Sequence, residues 1–144
     1  MISQILVAID GSEHAQRAAY YARDLARQTN ATLTMLVAVT PPSAVTIPPF
    51  DAVSITESNP NPEHLAAAQV LMDEIIADLG HGRAIPQVTV GPVPAEIIVS
   101  EAARLGVDLV VVGARGVGAA ERFLLGSVSD RVVREANRPV LVIH

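Results

Sequence analysis

The strongest constraint in this chain is an alternation of two kinds of apolar segment. Short continuous runs rich in β-branched residues, at Ile5–Ile9, Thr32–Val39, Leu109–Val112 and Val140–Ile143, are separated by apolar stripes spaced three and four residues apart. A run that is apolar at every position reads as a strand buried on both faces, whereas a stripe reads as a helix with one buried side. Ala15, Ala18, Ala19, Ala22, Leu25 and Ala26 make the first stripe, about four turns long, with Ser12 as its expected N-cap. Leu65, Ala68, Met72, Ile75, Ile76 and Leu79 make the second. It opens at Asn61-Pro62-Glu63 with a cap, a proline at the first helical position and an acid in the first turn, and it stops at Gly80 and Gly82. A weaker strand, Ile85–Val90, begins near Pro86, which suits a strand start or an edge. A third helix runs from Pro94 to Leu105 and ends at Gly106, and a fourth runs from Ser127 to Ala136.

The order β-α-β-α-β-α-β-α-β predicts an α/β fold: one doubly wound, five-stranded parallel sheet of Rossmann-like type, with helices on both faces. The expected strand order is 3-2-1-4-5, and residues 1–144 are expected to form a single domain. About two-thirds of the unfolded chain's surface should be buried at this size. Between the second strand and second helix lies Thr40–Asn61, rich in proline (Pro41, Pro42, Pro48, Pro49, Pro60, with Pro62 just beyond). A loop this long inside a small domain is a lid, a partner surface or disordered. In order 3-2-1-4-5 the first and fourth strands flank the switch point, and ligands of such sheets sit outside the carboxyl ends there. That topology nominates Asp10-Gly11-Ser12 and the loop Gly113–Ser127.

Composition excludes several chemistries. There is no cysteine, which removes disulfides, thiolate metal sites and cysteine nucleophiles. All ten basic residues are arginine, so a Walker A lysine and a Schiff-base lysine are both impossible. The net charge of −5 and the four aromatic residues, Tyr20, Tyr21, Phe50 and Phe123, argue against nucleic-acid binding. No apolar run approaches the ~18 residues of a membrane span. The amino-terminal apolar stretch, halted by Asp10 without basic residues ahead of it, does not read as a signal peptide. A cytoplasmic protein is expected. The histidines, His14, His64, His81 and His144, are dispersed without ligand spacing, so no protein-built metal site is expected.

Four of the nine glycines, Gly113, Gly116, Gly118 and Gly126, lie in the loop between the fourth strand and fourth helix. Glycine lets backbone N–H groups approach an anion, and a helix beginning at Ser127 offers unpaired amides and partial positive charge. Arg115 and Arg122 add formal charge. These are the parts of a phosphate cradle built without lysine. From residue types alone, a plainer reading stays open: glycines that only make turns, an Asp10 that only satisfies nearby backbone, and Ser127 with Asp130 as a capping box. The order of the glycines does not match the G-x-G-x-x-G dinucleotide fingerprint, and no G-x-S-x-G nucleophile elbow is present.

The spacing Gly113-x2-Gly116-x9-Gly126-Ser127, together with VAIDGSEHA from Val7, DLVVVGARG from Asp108 and GSVSDRVVREANRPVLVIH from Gly126, resembles the universal stress protein family in its ATP-binding branch. The resemblance spans the whole chain, and the Pro-rich loop is its least family-like part. It implies that Asp10 holds the ribose and that Val39, ending the second strand, presents backbone to adenine. It further implies that Gly113, Arg115, Gly116, Gly126, Ser127 and Val128 hold ribose and phosphates. Magnesium would arrive with the phosphates of ATP rather than on a dedicated protein site. The cradle does not count phosphates, so ADP and AMP stay open beside ATP.

The last strand is an apolar edge, and an uncovered apolar edge is a hazard unless it is paired or covered. The resemblance implies a homodimer through Val140–Ile143. The implied function is a regulatory, stress-response binding protein that acts through protein partners the sequence does not identify. Asp10 is the one obvious acid in the site, and no water-orienting group is evident, so at most weak ATPase activity is expected. The alternatives are a slow ATP hydrolase or phosphotransferase, or a nucleotide-independent dimeric interaction module.

Overall fold

The computed structural model describes residues 1–41, 61–80, 84–115 and 125–144. Nine elements follow one another in these residues: β1 (Gln4–Ile9), α1 (Glu13–Thr29), β2 (Thr32–Val39), α2 (Pro62–Leu79), β3 (Ala84–Val90), α3 (Pro94–Leu105), β4 (Leu109–Gly113), α4 (Ser127–Glu135) and β5 (Val140–Ile143). All four strand pairings are parallel, and the order is β3-β2-β1-β4-β5, as the alternating pattern predicts. Most of the Pro-rich loop, together with His81, Gly82, Gly116, Gly118 and Arg122, lies outside the described residues.

Alternate residues of each central strand serve opposite layers. Ile5, Val7 and Ile9 of β1 and Leu33, Met35, Val37 and Val39 of β2 pack with α1 and α2. Leu6 and Leu36, with Ala8 and Ala38 partly buried beside them, pack with α3 and α4. This two-sided burial is why these runs contain no polar alternation. The stripe of α1 buries alanines almost exclusively (Ala15, Ala18, Ala19, Ala22, Ala26), so its axis lies close to the sheet. Ser12 caps α1 by accepting the Ala15 N–H at 3.2 Å, and Asn61 caps α2 by accepting the Glu63 N–H at 3.0 Å.

The two ends of the sheet are built differently. At the amino end, the Asp108 carboxylate accepts hydrogen bonds from Ser3 N (2.8 Å), Ser3 Oγ (2.8 Å) and Gln4 N (3.0 Å), while its own amide donates to the Gln4 carbonyl (2.9 Å). These bonds clamp β1 to β4. They favour the ionised form and hold Asp108 below the ordinary carboxylate range, the Ser3 amide contributing most. At the carboxyl end, the same two strands part.

Three expectations need correction. First, β3 starts at Ala84, one residue before the expected Ile85, and of the two places the sequence allowed Pro86, a strand start or an edge, it takes the edge, inside the strand and opposite Met35. The Gly91 amide donates to the Val39 carbonyl, so by alternation the odd residues of β3 face β2 and Pro86 turns its missing donor outward. An interior proline is tolerated there because β3 is an edge. Second, α4 starts at Ser127 as expected, but the capping box that the plainer reading offered at Ser127 and Asp130 does not form. Gly126 is the N-cap and no side chain bonds the first turn. A backbone carbonyl from outside the helix holds the Gly126 N–H, and the first-turn amides stay uncapped, as described below. Third, β4 includes Gly113, and α4 ends at Glu135 with Ala136 as its cap.

Candidate functional site

Where β1 and β4 part, the segments that follow them face each other. Asp10 leaves β1 and folds back, its Oδ1 accepting the Ser12 N–H at 2.9 Å. Gly11 turns the chain at φ +83°, and α1 begins. Across the gap, Ser12 Oγ donates to the Arg115 carbonyl at 3.3 Å and joins the two loops. A cavity of about 170 Å³ opens here on the α3–α4 side of the sheet. Its floor is apolar, made by Ala8, Leu36, Ala38 and Val112 of the strands and Ile98 of α3. Its rim carries Asp10, Gly113 and Arg115, with Val128 and Ser129 from the first turn of α4.

Gly113 is glycine for a reason other than an anion. A Cβ built on it would stand 2.7 Å from Ala15 N and 2.7 Å from His14 C, inside the backbone of the first turn of α1. The helix closes directly over the end of β4, and only a residue without a side chain permits that approach. His14 sits in the same contact, and its Nδ1 is buried without a hydrogen-bond partner among the described residues.

The amino end of α4 is fixed by a single residue, Ala114. The Ala114 carbonyl accepts the Gly126 N–H at 2.7 Å and the Ser129 hydroxyl at 2.7 Å, while the Ala114 N–H donates to the Ile143 carbonyl of β5 at 2.7 Å. The amides of Ser127, Val128 and Ser129 precede the first intrahelical bond, Asp130 N–H to the Gly126 carbonyl at 2.9 Å. No capping side chain occupies them.

Of the residues singled out in the sequence, Asp10, Gly113, Arg115 and Val128 border one cavity, and Gly126 and Ser127 begin the helix whose first turn faces it. Gly116 lies outside the described residues. At the end of β2 the cavity is walled by Ala38. Val39, one residue on, gives its carbonyl to Gly91 and buries its side chain in the α1–α2 layer. Sequence reasoning missed the floor residues Ala8, Ala38 and Ile98, and it missed Ser129. Two signals were available: alanines near the carboxyl ends of two otherwise bulky strands, and a serine set among the apolar positions of a helix.

The chain matches the family model described as the universal stress protein family over residues 1–144. It is 36% identical over 144 residues to a universal stress protein of Thermus aquaticus, with both chains covered in full. Universal stress protein UspA from Lactobacillus plantarum superposes with a TM-score of 0.81 at 29% identity, over 99% of this chain and 98% of that one. A universal stress protein solved in complex with cAMP superposes with a TM-score of 0.72 at 26% identity, over 99% and 97%. With the fold, the strand order and the whole length in agreement, this chain belongs to the universal stress protein family.

Proposed function

We propose that this protein is an adenine-nucleotide-binding regulatory protein that takes ATP at the carboxyl end of its sheet. The observation that carries this reading is the division of one cavity into an apolar floor and a polar, amide-bearing rim. A nucleotide is divided in the same way. The floor of Ala8, Ala38 and Ile98 suits the flat base, with the end of β2 at Ala38–Val39 offering backbone to its edge. Asp10 has one oxygen committed to Ser12, which leaves Oδ2 for a ribose hydroxyl. The amides at the start of α4, next to Gly126, Ser127 and Val128, suit phosphate oxygens, as helix amino ends do, with Gly113 and Arg115 on the same rim; Gly116 is assigned to this cradle by the sequence motif alone. Magnesium would ride on the phosphates and supply charge neutralisation there. The relative solved with cAMP, itself an adenine nucleotide, supports the ligand class.

The same rim argues for binding over turnover. Asp10 is the one carboxylate among the described cavity walls, and it is already bonded to Ser12, so among the described residues no general base stands ready for an attacking water. A change in occupancy would instead be read by protein partners.

A second observation favours a homodimer through β5. Pro139 and Ile143 direct their carbonyls to β4, so by alternation Val140 and Val142 present N–H and C=O groups outward. An antiparallel copy would pair Val140 with Val142 across a two-fold axis at Leu141.

Thermal unfolding with Mg-ATP, with Mg-GTP, and with the floor-filling variant Ala38→Leu tests the nucleotide reading. Ligand at a hundred times its Kd adds about 2.7 kcal/mol, a rise of roughly 5–10 °C for a chain of this size. A rise with ATP that is small with GTP and lost in Ala38→Leu is expected. No rise in nucleotide-free protein refutes the reading.

A further inference from the structure

We propose that Ser129 is a positioning residue of this site, acting through the Ala114 peptide to aim the first-turn amides of α4. The inference rests on the nucleotide reading above. Ser129 is one of two buried polar side chains among the described residues, at 4% exposure; the other is Thr34. A buried hydroxyl costs stability unless it is bonded. Its Oγ lies 2.7 Å from the Ala114 carbonyl, with the Gly126 carbonyl 3.0 Å away on its own helix.

The Ala114 carbonyl therefore holds the first turn at two points, the Gly126 amide and the Ser129 hydroxyl. One point fixes where a helix starts, and two also fix its rotation about its own axis. The Ala114 amide is held in turn by Ile143 of β5, so the grip is anchored in the sheet. The usual way to fix a helix start is a capping side chain, which consumes the amides of the second or third residue. Here the fixing comes from outside the helix, and the amides of Ser127, Val128 and Ser129 stay available for an anion. Binding sites tolerate misplacement of only about 0.5 Å or 10–20°, so rotation of this turn weakens the grip on phosphate while the base and ribose contacts persist.

The hydroxyl is dispensable for folding. Without it the Ala114 carbonyl keeps the Gly126 N–H, and no buried acceptor is orphaned. The test is titration of Mg-ATP and of adenosine, the latter by competition against a fluorescent adenine nucleotide, into wild type, Ser129→Ala, Ser129→Thr and Ser129→Val. The last two have the same shape and differ by the hydroxyl, so any crowding by the added methyl cancels between them. Ser129→Ala is expected to bind Mg-ATP about five- to tenfold more weakly, the effect of one positioning hydrogen bond, with adenosine unchanged within about twofold. Ser129→Thr should bind Mg-ATP more tightly than Ser129→Val by a similar factor. Equal losses for both ligands, or no loss for either, overturn the positioning role. A wild type that holds Mg-ATP no more tightly than adenosine overturns the phosphate reading and this proposal with it. That failure shows in the wild-type arm alone.

Discussion

Gly113→Ala is the sharpest test of how the two loops at the carboxyl end are held together. The added Cβ would lie 2.7 Å from Ala15 N and from His14 C. That is about 0.7 Å inside ordinary contact, and both atoms are backbone, so no side chain can swing away. The first turn of α1 cannot lift freely, because Ser12 holds it by its cap bond and by the bond to the Arg115 carbonyl. Overpacking of this kind costs about 1–3 kcal/mol. For 144 residues that lowers Tm by about 3–12 °C. The cause is steric rather than conformational, since Gly113 lacks the positive φ seen elsewhere. Gly106 provides the opposite control: at φ +64° with nothing within 4 Å of a built Cβ, Gly106→Ala should cost about 1–2 kcal/mol through backbone strain, and Gly106→Asn should recover part of it. The assay is urea unfolding at constant m-value. In Gly113→Ala, nucleotide affinity should fall along with stability, because Asp10, Ala15 and Arg115 border the same cavity. A variant within about 0.5 kcal/mol of wild type would refute the close-approach argument.

Three further outcomes are expected. Met72→Ala, at a position 0% exposed between α2 and the sheet, should cost about 2–5 kcal/mol in urea unfolding, whereas Val70→Ala, two residues away and 56% exposed, should stay within about 0.5 kcal/mol. Asp108→Asn should flatten the acid limb of the stability curve. The folded pKa is depressed, so the stabilisation is complete above the ordinary carboxylate pKa and disappears as pH falls through the lower folded value; a limb as steep as wild type's below about pH 4 would exclude Asp108 as a contributor. Val142→Pro removes an outward amide without touching the β4 ladder; on the proposed β5 pairing, sedimentation should find a dimer for wild type and a folded monomer for the variant.

The fold was largely legible because hydrophobic pattern decides it. β2 and β5 begin and end where their apolar runs do, and the caps at Ser12 and Asn61 are local signals. The switch-point location followed from topology. The reasons behind individual residues were less legible, because they lie in contacts between distant parts of the chain. The contact of Gly113 with Ala15 spans nearly a hundred residues, and no local pattern announces it. A capping box at Ser127 and Asp130 was one open reading of the start of α4. What anchors that start is the Ala114 carbonyl, which accepts the Gly126 N–H and which only the folded chain brings there. Pro86 left two readings in the sequence, a strand start or an edge, and only the pairing shows that it is an interior residue of an edge strand.

That proline also sets the pairing valence of the sheet. Its two edges are not equivalent: β5 offers outward amides at Val140 and Val142, while on β3 the outward row of donors is broken at Pro86. A sheet with two equivalent open edges can add copies indefinitely and grow into a ribbon. One whose far edge is interrupted by a proline is a poorer template there, so the proposed pairing through β5 would not be matched on β3. In a chain half of whose residues are apolar, a missing N–H on the far edge works against open-ended growth, as a retarder does in a polymerisation.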